Sequence, residues 1–250
     1  MSNIGIVCEG PTDYILIKKI IDRITGTNNR YFQLQPEHDL LGRYGNGWKG
    51  VWKWCRDNGV IKNKIMKDIQ PTLDVLVIHL DGDVSRKEKV SHCFCNTVKC
   101  EEKGKRDPLE CDEIKEIRER CPASIPCSEH ESSVVGCIQH LEKLVGTWII
   151  DKNDTCVVIP CDSMEAWIVA AYDEVDNAEK IEDPWKSVIA KKKEYHGIRI
   201  VGAQKRQRIF EQFANVVCEN WGKVTELCQS AKMFEENILQ VIKENGCSGS

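Results

Sequence analysis

No stretch of this sequence stays apolar for the roughly 20 residues that a bilayer-spanning helix needs. A basic leader followed by an apolar run is also missing: the chain opens directly into the short segment Ile4-Gly5-Ile6-Val7. The expected setting is therefore cytoplasmic, with no membrane partner. Positive charge is not in excess either. Lys and Arg number 35 against 39 Asp and Glu, a formal net charge of −4. That balance argues against a protein that coats nucleic acid wholesale, but it leaves room for a basic groove beside an acidic site. Internal repeats and low-complexity linkers are absent, so one α/β domain with an insertion is the simplest organisation of the 250 residues. A hydrophobic content of 41% is enough to build its core. Cysteine is the residue the chain has in surplus, with 14. In a cytoplasmic setting these read as metal ligands or buried thiols rather than a disulfide framework.

The chemistry-bearing pattern begins with the first apolar run. Ile4 to Cys8 reads as a buried strand, Glu9 stands at its carboxyl end, and Gly10-Pro11 breaks it before a helix that Thr12 or Asp13 can cap. A second run, Asp74-Val75-Leu76-Val77-Ile78-His79-Leu80, ends in Asp81-Gly82-Asp83. If the two strands lie side by side in a parallel sheet, Glu9, Asp81 and Asp83 share one rim, where open α/β sheets bind ligands. Three bare carboxylates at such a place repel. A divalent cation resolves the repulsion, and an oxygen-only donor set points to Mg²⁺ or Mn²⁺.

A strand ending in Glu-Gly-x-x-Asp, followed by a strand ending in Asp-x-Asp, resembles the Toprim domain of topoisomerases, bacterial primases and OLD-family nucleases. Asp13 and the compact spacing are most similar to the OLD-type branch, including small Toprim proteins found beside ABC-type ATPases. A third stretch, Val157-Val158-Ile159-Pro160-Cys161-Asp162-Ser163-Met164-Glu165-Ala166-Trp167, resembles the strand–Pro–Glu-Ala-Trp segment of those members. Together the three cover roughly the first two-thirds of the chain. The resemblance implies a Toprim/Rossmann-like α/β fold, a mainly parallel sheet flanked by helices. It also implies that Asp13 holds a second ion. Glu165 has two readings, one near the metal and one in a capping box Asp162-x-x-Glu165.

Residues 1–175 are expected to form the α/β core, with residues 176–250 as a helical extension packed on it. Within the core, positions of about 91–130 hold Cys93, Cys95, Cys100, Cys111, Cys121 and Cys127 with no apolar period. This Cys-rich insertion is either held by a structural Zn²⁺ or a loop of free thiols; the spacing fits no standard finger. Helical spacing marks 13–24, the region from Trp48, and 132–148. The most basic patches are Lys191–Lys193 and Lys205-Arg206-Gln207-Arg208, the second opening an amphipathic helix.

These readings converge on a metal-dependent phosphodiesterase, a hydrolase cutting DNA or RNA in phage defence or DNA repair. Asp81 and Asp83 hold the ion, and Glu9 completes its shell or serves as general acid/base. Lys205 or Arg206 offsets transition-state charge, and Lys205, Arg206 and Arg208 contact nucleic acid. The alternative is a non-cleaving Toprim regulatory subunit that binds metal or nucleotide and partners an ABC-type ATPase. A topoisomerase with its separate tyrosine domain is not expected at this length, and a primase would need template-binding and zinc modules beyond those read here, with the Cys-rich insertion the one feature that keeps it open.

Overall fold

The computed structural model describes residues 1–36, 45–85, 141–142, 145–146, 149, 153–173, 175–176, 178–181, 183–190, 194–200, 202 and 204–245. Its centre is a parallel sheet of four strands in the order β2-β1-β3-β4: β1 Asn3–Val7, β2 Arg30–Gln35, β3 Val75–His79 and β4 Thr155–Val158. β1 from Ile4 onward and β3 up to Ile78 are apolar runs because both faces of a parallel sheet are covered. Their register pairs Ile4 with Val75 and Val7 with Ile78, and β3 in turn pairs His79 with Val158.

Parallel neighbours need crossovers, and helices supply them. α1 (Pro11–Thr25) connects β1 to β2 and buries Leu16, Ile17, Ile20 and Ile21 against Ile4, Ile6, Val75 and Val77. α2 (Trp48–Asn58) and α3 (Lys62–Asp68) lie between β2 and β3 in sequence. They cover the other face, where Val51, Trp54, Cys55 and Met66 meet Val7, Leu76 and Ile78. Lys62, almost fully buried, ties α3 to the start of β4 through Asp154 and Thr155.

After β4 come α4 (Met164–Tyr172), α5 (Pro184–Ile189) and the hairpin β5 (Glu194–Tyr195) and β6 (Ile198–Arg199). α6 (Gln207–Glu219), α7 (Trp221–Leu227) and α8 (Gln229–Asn245) complete the described chain. The amphipathic start expected at Lys205–Arg208 is the start of α6. Its Phe210, Phe213 and Val217 join the same core as α1 and α4, and Arg23 Nε donates to Cys218 O at 3.0 Å across the α1–α6 contact.

Local expectations are corrected at both helix starts near the rim. Neither Thr12 nor Asp13 caps α1: the N-cap is Gly10 with Pro11 at the first helical position, which places both residues inside the first turn. The Asp162–Glu165 capping box is not formed, because α4 takes Ser163 as its N-cap and so puts Glu165 at the second helical position. The edge strand β2 has no counterpart among the sequence expectations. Among the described residues no helix is long and apolar enough to cross a membrane. Cys93, Cys95, Cys100, Cys111, Cys121 and Cys127, the 132–148 helix for the most part, and Lys191–Lys193 lie outside the described residues.

Candidate active site at the carboxyl end of the sheet

The register of β1 and β3 carries on past both strands. Asp81 donates its backbone N–H to Glu9 Oε1 at 2.8 Å. On the other side of β3, Leu80 N bonds Val158 O at 3.1 Å, Gly82 N bonds Pro160 O at 2.9 Å and Asp83 N bonds Asp162 O at 2.7 Å. Asp81-Gly82-Asp83 is thus pinned between the ends of β1 and β4, and Asp83 enters a 3₁₀ turn at Gly82–Ser85. The Glu9 turn is held from the opposite side by Gly47, whose N–H donates to Glu9 O at 2.8 Å. Gly47 has φ of +75°, open to glycine at no steric cost. Three residues on, a Cβ added to Gly50 would lie 2.6 Å from Gly45 O. Only glycine at position 50 lets the first turn of α2 pack this closely on the Gly45 carbonyl.

Two helices start at the same rim and bring an acid each in their first turns, where the positive end of the helix dipole favours negative charge. Asp13 in α1 is 5% exposed and Glu165 in α4 only 1%. Lys205, just ahead of α6, reaches in from solvent and sets Nζ 2.5 Å from Glu165 Oε1. Beneath them is His79, the last residue of β3, fully buried, with Nε2 3.4 Å from Asp81 Oδ1. At that separation the pair falls short of a well-formed hydrogen bond.

Burial and mutual repulsion dominate the electrostatics. Glu9 is held well above the ordinary glutamate range by burial first, then by the charge of Asp81, with smaller contributions from Asp13 and Asp83; the Asp81 N–H works the other way. Burial pushes Asp13 up to about 7, with Asp81 and Glu165 adding to it and His79 and Lys205 opposing. Burial alone would also raise Asp81, yet His79, Lys205 and the Met164 amide hold its carboxyl below the ordinary value. For His79 burial favours the neutral ring, and the acids Asp81, Asp13 and Glu165 outweigh it, so its value rises. Lys205 likewise rises against its own burial because Glu165, Asp81 and Asp13 surround it.

The structure therefore gathers Glu9, Asp13, Asp81, Asp83, Glu165 and Lys205 at one rim, from β1, α1, the β3 exit, α4 and the approach to α6. Arg206 and Arg208 are exposed at the start of α6. His79 escaped sequence reasoning because it is embedded in an apolar strand. Its spacing of two from Asp81, which puts both on one face, is the signal that could have found it.

The donor chemistry fits a hard divalent cation. The acids are oxygen ligands, and Asp81 Oδ1 and Glu165 Oε1 are buried atoms that accept no well-aligned hydrogen bond among the described residues; Lys205 meets the latter as an ion pair. As they stand, no three His, Cys, Asp or Glu side chains among the described residues converge on one ion position. In comparison with known proteins, the chain matches no family model, no curated protein and no solved structure.

Proposed function

We propose that the chain is a Mg²⁺- or Mn²⁺-dependent phosphodiesterase acting on DNA or RNA, with a Toprim-type fold of the OLD-like branch. The observation that carries the reading is the meeting of Glu9 and Asp81 across adjacent strand ends, with Asp13 and Asp83 close enough to act on Glu9 electrostatically and Glu165 on Asp13. Asp81 and Asp83 would hold the ion, and Asp13, with Glu165 near it, would hold a second. A bound ion supplies charge stabilisation for the attacking and leaving oxygens of an in-line displacement.

The chain's own residues divide the remaining work. Glu9, whose affinity for a proton is raised by burial and by the charge of Asp81, can hand a proton to a departing alkoxide. Lys205 places a full positive charge beside the acids and offsets charge that develops on the phosphoryl oxygens. Asp81 stays ionised under the influence of His79 and Lys205 and so keeps its ligand charge.

One observation favours the non-cleaving alternative, a regulatory subunit for an ABC-type ATPase: Lys205 already neutralises Glu165 with no ion needed. Cleavage of supercoiled DNA, single-stranded DNA and RNA with Mg²⁺ or Mn²⁺ separates the two. The expected result is metal-dependent cleavage that disappears in Asp83→Asn. Metal binding without cleavage of any substrate would support the regulatory subunit instead.

A further inference from the structure

β3 reads Val75-Leu76-Val77-Ile78-His79, four apolar residues and then a fully buried imidazole. A buried polar group without a partner costs about 1–3 kcal/mol, and neither ring nitrogen of His79 has a hydrogen-bond partner among the described residues. The atom nearest in chemistry is Asp81 Oδ1, 3.4 Å from Nε2, and it too is buried without a partner among those residues. A ring N–H and a carboxylate oxygen are complementary. Closing the gap to a charge-assisted bond of about 2.8 Å needs a movement of roughly half an ångström.

Strand geometry determines where this pair sits. Residues 79 and 81 share a face, so His79 lies inboard of Asp81, on the side of the core. The Asp81 backbone N–H is engaged by Glu9 Oε1 and the Met164 amide acts on the carboxyl, while Oδ1 itself accepts no hydrogen bond among the described residues. Since Oδ1 is buried, the 15% exposure of the Asp81 side chain belongs to its other atoms.

We propose that His79 is a positioning residue for the metal-binding carboxylate: its Nε2–H holds Asp81 Oδ1 inward and presents Oδ2 to the divalent cation. The inference rests on the metal reading given above. The neutral ring with its proton on Nε2 and the imidazolium both carry that N–H, so the role does not depend on the ring's charge. Hydrogen-bonded partners of this kind orient ligating groups, and their removal typically weakens metal binding about 10–100-fold.

The test uses the full chain and Mn²⁺, with bound metal followed by electron paramagnetic resonance of the free ion and stability by melting temperature. His79→Leu should keep or raise the metal-free melting temperature, because a buried unpartnered group is replaced by an apolar one, and should weaken the Mn²⁺ Kd about 10–100-fold. His79→Gln, whose amide can still donate, should recover most of that affinity. A folded His79→Leu with the wild-type Kd overturns the inference; a purely structural role would move the melting temperature and leave Kd alone. A wild-type measurement makes the test independent of whether the variant folds. With ¹⁵N-labelled histidine, saturating Mg²⁺ should shift the His79 Nε2–H proton downfield as the bond to Asp81 shortens, and an unmoved proton overturns the inference. Wild-type protein that binds neither Mn²⁺ nor Mg²⁺ overturns the metal reading itself, an outcome distinct from binding that ignores His79.

Discussion

Asp13 shows most clearly what the rim costs when no ion is present. Its carboxyl is buried among other acids and titrates near 7. The sign follows from linkage: an acid raised in the folded state is neutral and harmless below its ordinary value near 4, and its ionisation destabilises the fold progressively as pH climbs to 7. With a chelator present, Asp13→Asn should match the wild type at pH 4 and exceed it by about 1–4 kcal/mol at pH 8 in urea unfolding. Equal stability of the two proteins at pH 8 would show that Asp13 does not bear this burden. Glu9, Asp81 and Asp83 were legible in the sequence because each acid ends an apolar run. The Lys205–Glu165 pair was not, since distant positions meet only through the packing of α6 on α1 and α4.

At the scale of elements, the start of α4 is fixed from behind by a buried polar hub. Glu179, in the 3₁₀ turn Ala178–Lys180, accepts N–H bonds from Gln229 at 2.7 Å and Ser230 at 3.0 Å, and also the Ser230 hydroxyl. Ser230 Oγ in turn accepts from Trp167 Nε1 at 2.9 Å and Cys161 N at 3.3 Å. One serine thereby joins α8, α4 and the exit of β4, the segment that delivers Glu165 to the rim. Ser230→Ala takes the hydroxyl away from the buried Trp167 and Cys161 donors, and should cost about 2–4 kcal/mol in urea unfolding; a change under about 0.5 kcal/mol, the usual range of a neutral surface substitution, would show that the hub carries little. The periodic elements were readable: β1, β3, β4 and α1 declare themselves by apolar runs or a 3.6-residue stripe. β2 was not, because an edge strand half open to solvent mixes Gln33 and Gln35 with its aromatic and aliphatic residues. The capping box failed because Ser163 rather than Asp162 takes the N-cap, which puts Ala166 and not Glu165 at the third helical position. Glu165 is instead buried and paired with Lys205.

For the whole molecule, an acidic chain of net charge −4 would bind a polyanion only through a local basic surface. Arg206 and Arg208 stand exposed beside the lysine that enters the acid cluster. Replacing both arginines with alanine should flatten the salt dependence of DNA binding by roughly one unit of log–log slope for each phosphate that is no longer neutralised, and leave the metal Kd unchanged. An unaltered slope would place the nucleic-acid surface elsewhere. The fold class was legible because two-sided burial writes itself as apolar strands separated by amphipathic helices. How the rim is assembled was legible only at its strand ends, since the helices that complete it are brought there by tertiary packing.

The central claim is that the strand-end acids form a divalent-cation site, and anomalous diffraction at the manganese edge from Mn²⁺-soaked crystals tests it most directly. The account predicts a peak within about 2.5 Å of the Asp81 and Asp83 carboxylates, bordered by Glu9. A peak far from these residues, or none while the three side chains point apart, would contradict it.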